Sequence, residues 1–146
     1  MRRISQKSDE IWSFRCYGPG DSIGGFDAWH NQASVQFKAH FAIVIQILLH
    51  QRDWGEPHYK DLTGRCAGLG EIIITVKVSK RVGKKNEIVT EHYRVLGFAD
   101  YKKVFVLLDG FQKISGDEYR IACPRALKRK EGVLKDGSRA QYCQFP

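Results

Sequence analysis

The order of apolar patterns along the chain predicts an α+β fold with the element order β-α-α-β-β-β-α. Three observations lead to this prediction. Two apolar runs, 91–98 and 103–113, flank a short polar turn and are typical of an antiparallel hairpin. Between residues 26 and 52, apolar residues recur with the spacing of helices. After the hairpin, Ser115 and Glu118 have the spacing of a helix-capping box.

The elements before the hairpin begin with a short strand at residues 11–17, where apolar and polar residues alternate. A first helix is expected around Phe26 and Trp29, and Ser34 is the candidate cap of a second helix that runs to Arg52. The short connection predicts an αα-hairpin. We expect this hairpin to cover one face of a small, mostly antiparallel sheet and the other face to stay open.

Residues 71–78 alternate in the manner of a strand, and the basic stretch from Ser79 to Asn86 is expected to be the loop that leads to the hairpin. The last helix starts near Tyr119, and we expect Pro124 to break it. The chain is therefore divided into a domain at 1–132 and an irregular tail at 133–146.

Composition indicates a folded, basic protein with a polyanionic partner. The 146 residues include 24 Lys and Arg against 16 Asp and Glu, which gives a net charge of +8. Such a charge favours a partner that is nucleic acid, a membrane surface or an acidic protein, although it can also serve solubility alone. Residues 1–146 contain neither a signal peptide nor a membrane-spanning pattern, so no membrane partner is expected. The four cysteines are far apart in sequence, which predicts neither disulfides nor a metal site and favours a cytoplasmic location.

Arg94 is the most unusual residue of the predicted hairpin, because a guanidinium is rarely placed within an apolar strand without an anion. It either forms an ion pair with Glu71 or Glu91, or binds a phosphate through two nitrogens. His92 is a candidate acid or base, and Tyr119 is either a site residue or a packed helix residue. Five cations are expected to bind RNA: Lys77, Lys80, Arg81, Lys84 and Lys85. The alternative is that they belong to a turn and only face the solvent.

Three motifs in sequence also resemble one family. The glycine-rich run 62–72, the strand 93–98 and the strand 104–113 are similar, in this order, to the RelE/ParE toxin superfamily, and most of all to its phage-derived RelE-like and HigB-like branch. The resemblance implies the RelE-like β-α-α-β-β-β-α fold. It also implies the toxin component of a type II toxin–antitoxin system, a ribosome-dependent mRNA endoribonuclease that inhibits translation. Its partners would be mRNA, the ribosome and a cognate helix-turn-helix antitoxin.

The resemblance also assigns roles to residues. Arg94, Lys113 and Tyr119 occupy the places of the family's arginine, basic residue and tyrosine, whereas Glu71 and Ile73 stand where RelE has lysines. The reaction needs no metal and no cofactor, since a ribose 2′-hydroxyl attacks the adjacent phosphate. Two alternatives remain: a ParE-like toxin that binds gyrase, and a phage-encoded binding protein without catalysis.

Overall fold

The structure is a computed structural model that describes residues 9–18, 24–100 and 102–145. Two single turns of 3-10 helix, Gly64–Cys66 and Gly137–Arg139, connect its main elements. These main elements are, in chain order, β1 (Ser13–Tyr17), α1 (Phe26–Gln32), α2 (Val35–Leu49), β2 (Tyr59–Asp61), β3 (Gly70–Val82), β4 (Lys85–Asp100), β5 (Val104–Lys113), α3 (Tyr119–Lys135) and β6 (Ala140–Gln141).

The strands form one six-stranded mixed sheet in the order β2-β3-β4-β5-β1-β6. β1 is parallel to β5, and the other neighbouring pairs are antiparallel. The α+β class is therefore confirmed, but the predicted RelE-like arrangement is wrong in strand order and in helix placement. The edge strands β2 and β6 are three and two residues long, too short to show any periodicity in the sequence.

The helices lie on both faces of the sheet. On the first face, α1 and α2 bury Phe26, Phe37 and Phe41 against β3, β4 and β5. On the second face, α3 buries Ala122 and Ala126 against β4 and β5. The second face was expected to be open, but α3 covers part of it, because the helix turns back over the sheet after β5.

Strands β3 and β4 form a long ribbon. The expected loop from Ser79 to Asn86 is wrong, since the ladder of paired residues continues to Val82 opposite Lys85. The turn is only Gly83 and Lys84, and Gly83 has a φ of 65°, which a glycine adopts without strain. The ends of both strands are polar and exposed, so they lack the alternation of buried residues by which a strand is recognised in a sequence. For this reason the sequence predicted a loop there.

Helix α3 runs without a break from Tyr119 to Lys135 with Pro124 inside it, so the expected break is wrong. Proline removes one hydrogen bond of a helix, a cost of about 3 kcal/mol. Burial of Ala122, Cys123 and Ala126 against the sheet opposes that cost on both sides of the proline. The helix passes residue 132, and β6 follows it and pairs with β1.

All four cysteines are paired, as Cys16–Cys143 and Cys66–Cys123, so the expectation of no disulfides is wrong. The partners are 127 and 57 residues apart in sequence, and only the folded chain brings them together. Among the described residues, no helix is both long and apolar enough to cross a bilayer.

Candidate functional site

Four of the residues predicted for the site lie together on the second face of the sheet, where α3 begins. Strand alternation places them there, because residues paired across antiparallel strands point to the same side. Arg94 on β4 pairs with Ile73 on β3 and with Phe111 on β5. Glu71 lies two residues from Ile73, and Lys113 two residues from Phe111, so both share the face of Arg94.

Tyr119 is placed by the loop that precedes α3. The carboxylate of Glu118 accepts hydrogen bonds from the backbone N–H groups of Ile114, Ser115 and Gly116, at 2.9–3.3 Å. One half of the predicted capping box is thus present, since Glu118 bonds the N–H of Ser115. The same bonds fix the start of the helix, and Tyr119 is its first residue.

The centre of the cluster is the carboxylate of Glu71, which is only 5% exposed. The hydroxyl of Tyr119 donates a hydrogen bond of 2.5 Å to its Oε1 atom. Nε of Arg94 lies 3.6 Å from the same oxygen. The ion pair of Arg94 with Glu71 is therefore formed, whereas Glu91 is bound instead to Lys80 at 2.9 Å.

Arg94 is held in place by its contacts, but one of its nitrogens forms no hydrogen bond to the residues that the structure describes. Its Nη1 donates to the carbonyl of Tyr93 at 2.9 Å, and its side chain is 12% exposed. Its buried Nε has no hydrogen-bond partner among the described residues. A buried donor without a partner costs about 1–3 kcal/mol, so such atoms are rare in folded proteins. This atom lies 3.6 Å from Oε1 of Glu71 and forms no hydrogen bond to it.

The ring of Tyr119 is enclosed from two sides. Phe111 meets it edge to face at a centroid distance of 5.0 Å, and Nζ of Lys113 lies 5.6 Å from its centroid. The pKa of the Tyr119 hydroxyl is raised, first by burial and then by its hydrogen bond to Glu71. The hydroxyl therefore stays protonated at neutral pH, which makes Tyr119 unsuited to act as a base.

The other predicted residues are distributed over the two faces of the sheet. His92 is exposed on the face of Arg94, and it pairs with Thr75 on one side and Lys113 on the other. Among the predicted RNA-binding residues, Lys77 and Arg81 are separated from Ile73 by an even number of positions on β3, so they share this face. Lys80 and Lys85 point to the opposite face, and Lys84 is in the turn.

A second polar group, which the sequence did not predict, lies between α1 and α3. Asp109 is 4% exposed, and Nε of Arg125 lies 2.7 Å from its Oδ2. Arg129 donates to the carbonyl of Leu108 at 2.7 Å. Burial raises the pKa of Asp109, although Arg125 opposes that shift. A cavity of about 190 Å³, which Trp29 also lines, opens beside the pair. The sequence signal was an aspartate in an apolar strand and two arginines four residues apart.

Comparison of the chain with protein-family models, with curated proteins and with solved structures found no match. The resemblance to the RelE/ParE superfamily thus stays a prediction. In the part of the chain that the structure describes, no three His, Cys, Asp or Glu side chains are grouped as a metal site requires.

The arrangement can bind and polarise a phosphodiester. Lys113 lies near the ring of Tyr119, and the carboxylate of Glu71 accepts the hydrogen bond of the Tyr119 hydroxyl and is paired with Arg94. An arginine and a lysine stabilise charge on phosphate oxygens, and a carboxylate accepts a proton from a hydroxyl. The group is of the right chemical kind for transfer of a phosphoryl group within RNA.

Proposed function

We propose that this protein is an RNA-binding endoribonuclease that cleaves by internal attack of a ribose 2′-hydroxyl. The observation that carries the proposal is the contact of Arg94 and Tyr119 with one carboxylate, Glu71, beside Lys113. The net charge of +8 supports a polyanionic substrate. The sequence named these four residues as site residues, and the fold brings them to one place.

The chemistry of the reaction follows from these residues. The 2′-oxygen forms a bond to phosphorus while the bond from phosphorus to the 5′-oxygen breaks, which leaves a cyclic phosphate and a 5′-hydroxyl. Glu71 accepts the proton of the 2′-hydroxyl, and His92, on the same face, protonates the leaving oxygen. Arg94 and Lys113 stabilise the charge that develops on the phosphate oxygens. Tyr119 orients Glu71 through its hydroxyl.

Cleavage of a labelled single-stranded RNA, with EDTA present, tests the proposal. Arg94→Lys keeps the charge but loses the planar fork, so we expect cleavage to slow by about 10²- to 10³-fold. Arg120→Lys is the matched control, because Arg120 is exposed and bound to Asp117 outside the cluster. A single 2′-deoxyribose at the scissile position should block cleavage. Arg94→Lys with the rate of the parent, or cleavage of the deoxy substrate, contradicts the proposal.

The main alternative is RNA binding without cleavage. The observation that favours it is that Arg94 and Tyr119 already satisfy Glu71, which is almost fully buried. Glu71→Gln separates the two functions. If Glu71 only holds Arg94, its neutralisation strengthens RNA binding and no product forms with any variant. If Glu71 is the base, the variant binds RNA and loses cleavage.

We also propose the biological setting that the resemblance implies. A type II toxin would cut mRNA on the ribosome, in the cytoplasm, and would be neutralised by an antitoxin. A ParE-like toxin would instead bind gyrase through its helices, and no contact described above favours that alternative. The two disulfides favour an oxidising compartment, since such bonds are rare in the cytosol of most organisms. Cleavage of purified RNA therefore tests the RNA chemistry, and expression in cells tests the toxin setting.

A further inference from the structure

The ribbon of β3 and β4 extends well beyond the rest of the sheet. Pairing with β5 ends at His92, and β2 pairs with β3 only as far as Ile72. From Val76 to Val82 the ribbon is two-stranded, which is a length of about 20 Å. Every residue from 79 to 88 is exposed, so no helix covers either face of this part.

The two faces of the ribbon differ in charge. The register places acidic residues on one face only, the face opposite the cluster, where Lys80 lies across from Glu87 and 2.9 Å from Glu91. The face that continues the cluster carries cations but no acid between residues 73 and 81 or between 86 and 94. Its ribbon residues are Lys77, Ser79 and Arg81 on β3 and Asn86, Ile88 and Thr90 on β4.

The cations of this face are spread over three neighbouring strands, from the tip of the ribbon to the cluster. Arg81 and Lys77 lie on β3. Lys113 lies on β5, where it pairs with His92, and Arg94 lies two residues beyond His92 on β4. From Arg81 to the position on β3 that pairs with Arg94, the cations span eight residues, about 27 Å. A small anion cannot contact charges spread over that distance, whereas a polyanionic chain can.

We infer that this face is a track for single-stranded RNA, which it leads from the tip of the ribbon to Arg94. The inference rests on the proposed function and adds where the substrate lies. Four cations spread over this length suit one phosphate backbone, whereas a duplex presents two. Between these cations, the ring of His92 and the 70% exposed Ile88 can contact bases without selecting a sequence.

Two double variants of the full, disulfide-bonded chain test the track. Lys77→Gln with Arg81→Gln removes two charges from the track face, and Lys80→Gln with Lys85→Gln removes two from the opposite face of the same ribbon. The probe is a fluorescent single-stranded oligouridylate with 2′-O-methyl riboses, which binds but cannot react. Fluorescence anisotropy measures affinity over a series of salt concentrations, and thermal melting verifies that both variants are folded.

We expect the track-face variant to bind at least tenfold more weakly at low salt, with a salt slope reduced by about 1.4. The opposite-face variant loses the same net charge, so we expect a general weakening of binding, but by no more than about threefold and with a smaller change in salt slope. If both variants lost affinity equally, the loss would be explained by the change in net charge alone, and the track would be overturned. Unchanged binding in both, or equal affinity for a duplex of the same sequence, would overturn it too.

The outcomes also separate the track from the proposed catalysis. If the track-face variant loses binding but the parent never cleaves reactive RNA, the track stands and the ribonuclease proposal fails. If Arg94→Lys loses cleavage while the track-face variant binds as the parent does, the catalysis stands and the track fails.

Discussion

The contacts of Glu71 determine how the cluster can work. A buried carboxylate needs hydrogen bonds or a cation, and Glu71 has one of each, from Tyr119 and Arg94. The ion pair of Arg94 and its use as a phosphate ligand are therefore not exclusive alternatives. The pair holds the guanidinium in place, while its Nε still lacks a hydrogen-bond partner among the described residues. A phosphate that enters beside Arg94 would meet a guanidinium that Glu71 and the carbonyl of Tyr93 already hold in place.

Replacing Tyr119 by Phe tests its role as a positioning residue. The ring and its contact with Phe111 remain, but the hydrogen bond to Glu71 is lost. A hydrogen bond to a charged group contributes about 1.5–3 kcal/mol, so we expect kcat to fall roughly tenfold or more. KM should change little. Steady-state kinetics on a labelled RNA give both values, and a loss confined to KM would point instead to base stacking.

The pKa of Tyr119 provides a readout that does not depend on cleavage. Because burial and the bond to Glu71 both raise it, Tyr119 should ionise only at strongly alkaline pH in the parent. Glu71→Gln removes the charge and should lower the pKa of Tyr119. Absorbance titration of the phenol, with Tyr119→Phe as reference, measures the change, and an unmoved titration would show that the hydrogen bond is absent in solution.

At the scale of elements, the position of α3 is what completes the cluster. The helix holds Tyr119 over the second face, and the Cys66–Cys123 disulfide joins it to the short turn before β3. Cys123 directly precedes Pro124, which is the weakest point of the helix. The disulfide thus constrains the helix at the point where the sequence predicted a break.

Removal of this disulfide should weaken the fold measurably. Because the two cysteines are 57 positions apart in sequence, Cys66→Ser together with Cys123→Ser should lower the free energy of unfolding by about 2–4 kcal/mol. Urea unfolding gives the value. Cys16→Ser with Cys143→Ser is the matched control, because it removes the other bridge and leaves α3 attached to the turn. Only the first variant should disturb the titration of Tyr119, and equal disturbance by both would contradict this role.

For the whole molecule, charge and disulfides indicate different surroundings. The net charge of +8 suits the proposed RNA substrate, whereas the paired cysteines are typical of a protein that folds under oxidising conditions. Cys16–Cys143 ties the chain before α1 to the residues after β6. A reduced chain would lose this link and the one to α3 together.

Labelling of thiols and expression in two compartments test which surroundings apply. Protein purified without reductant should react with no thiol reagent until it is unfolded and reduced, because all four cysteines are paired. We expect expression directed to an oxidising compartment to give more folded protein than cytoplasmic expression. If reduced protein in the cytoplasm arrests growth, and Arg94→Lys relieves the arrest, the toxin setting is supported and the disulfides are dispensable.

The sequence by itself determined the local elements and most of the cluster. Periodicity and the cap at Ser34 predicted α1 and α2, because a helix shows its buried stripe every three to four residues. The two apolar runs and the polar turn between them were enough to place Arg94, Lys113 and Tyr119 near the ends of one hairpin. The helices, the cap and the hairpin depend on residues close together in the chain, so they can be predicted from one sequence.

Only the tertiary structure decided the rest. The strand order, the short edge strands and the two disulfides join residues far apart in the chain, which no local pattern records. The sorting of Lys77 and Lys80 to opposite faces required the register, since a shift of one residue exchanges the faces. The continuity of α3 through Pro124 required its burial against the sheet, because packing there outweighs the local preference of proline.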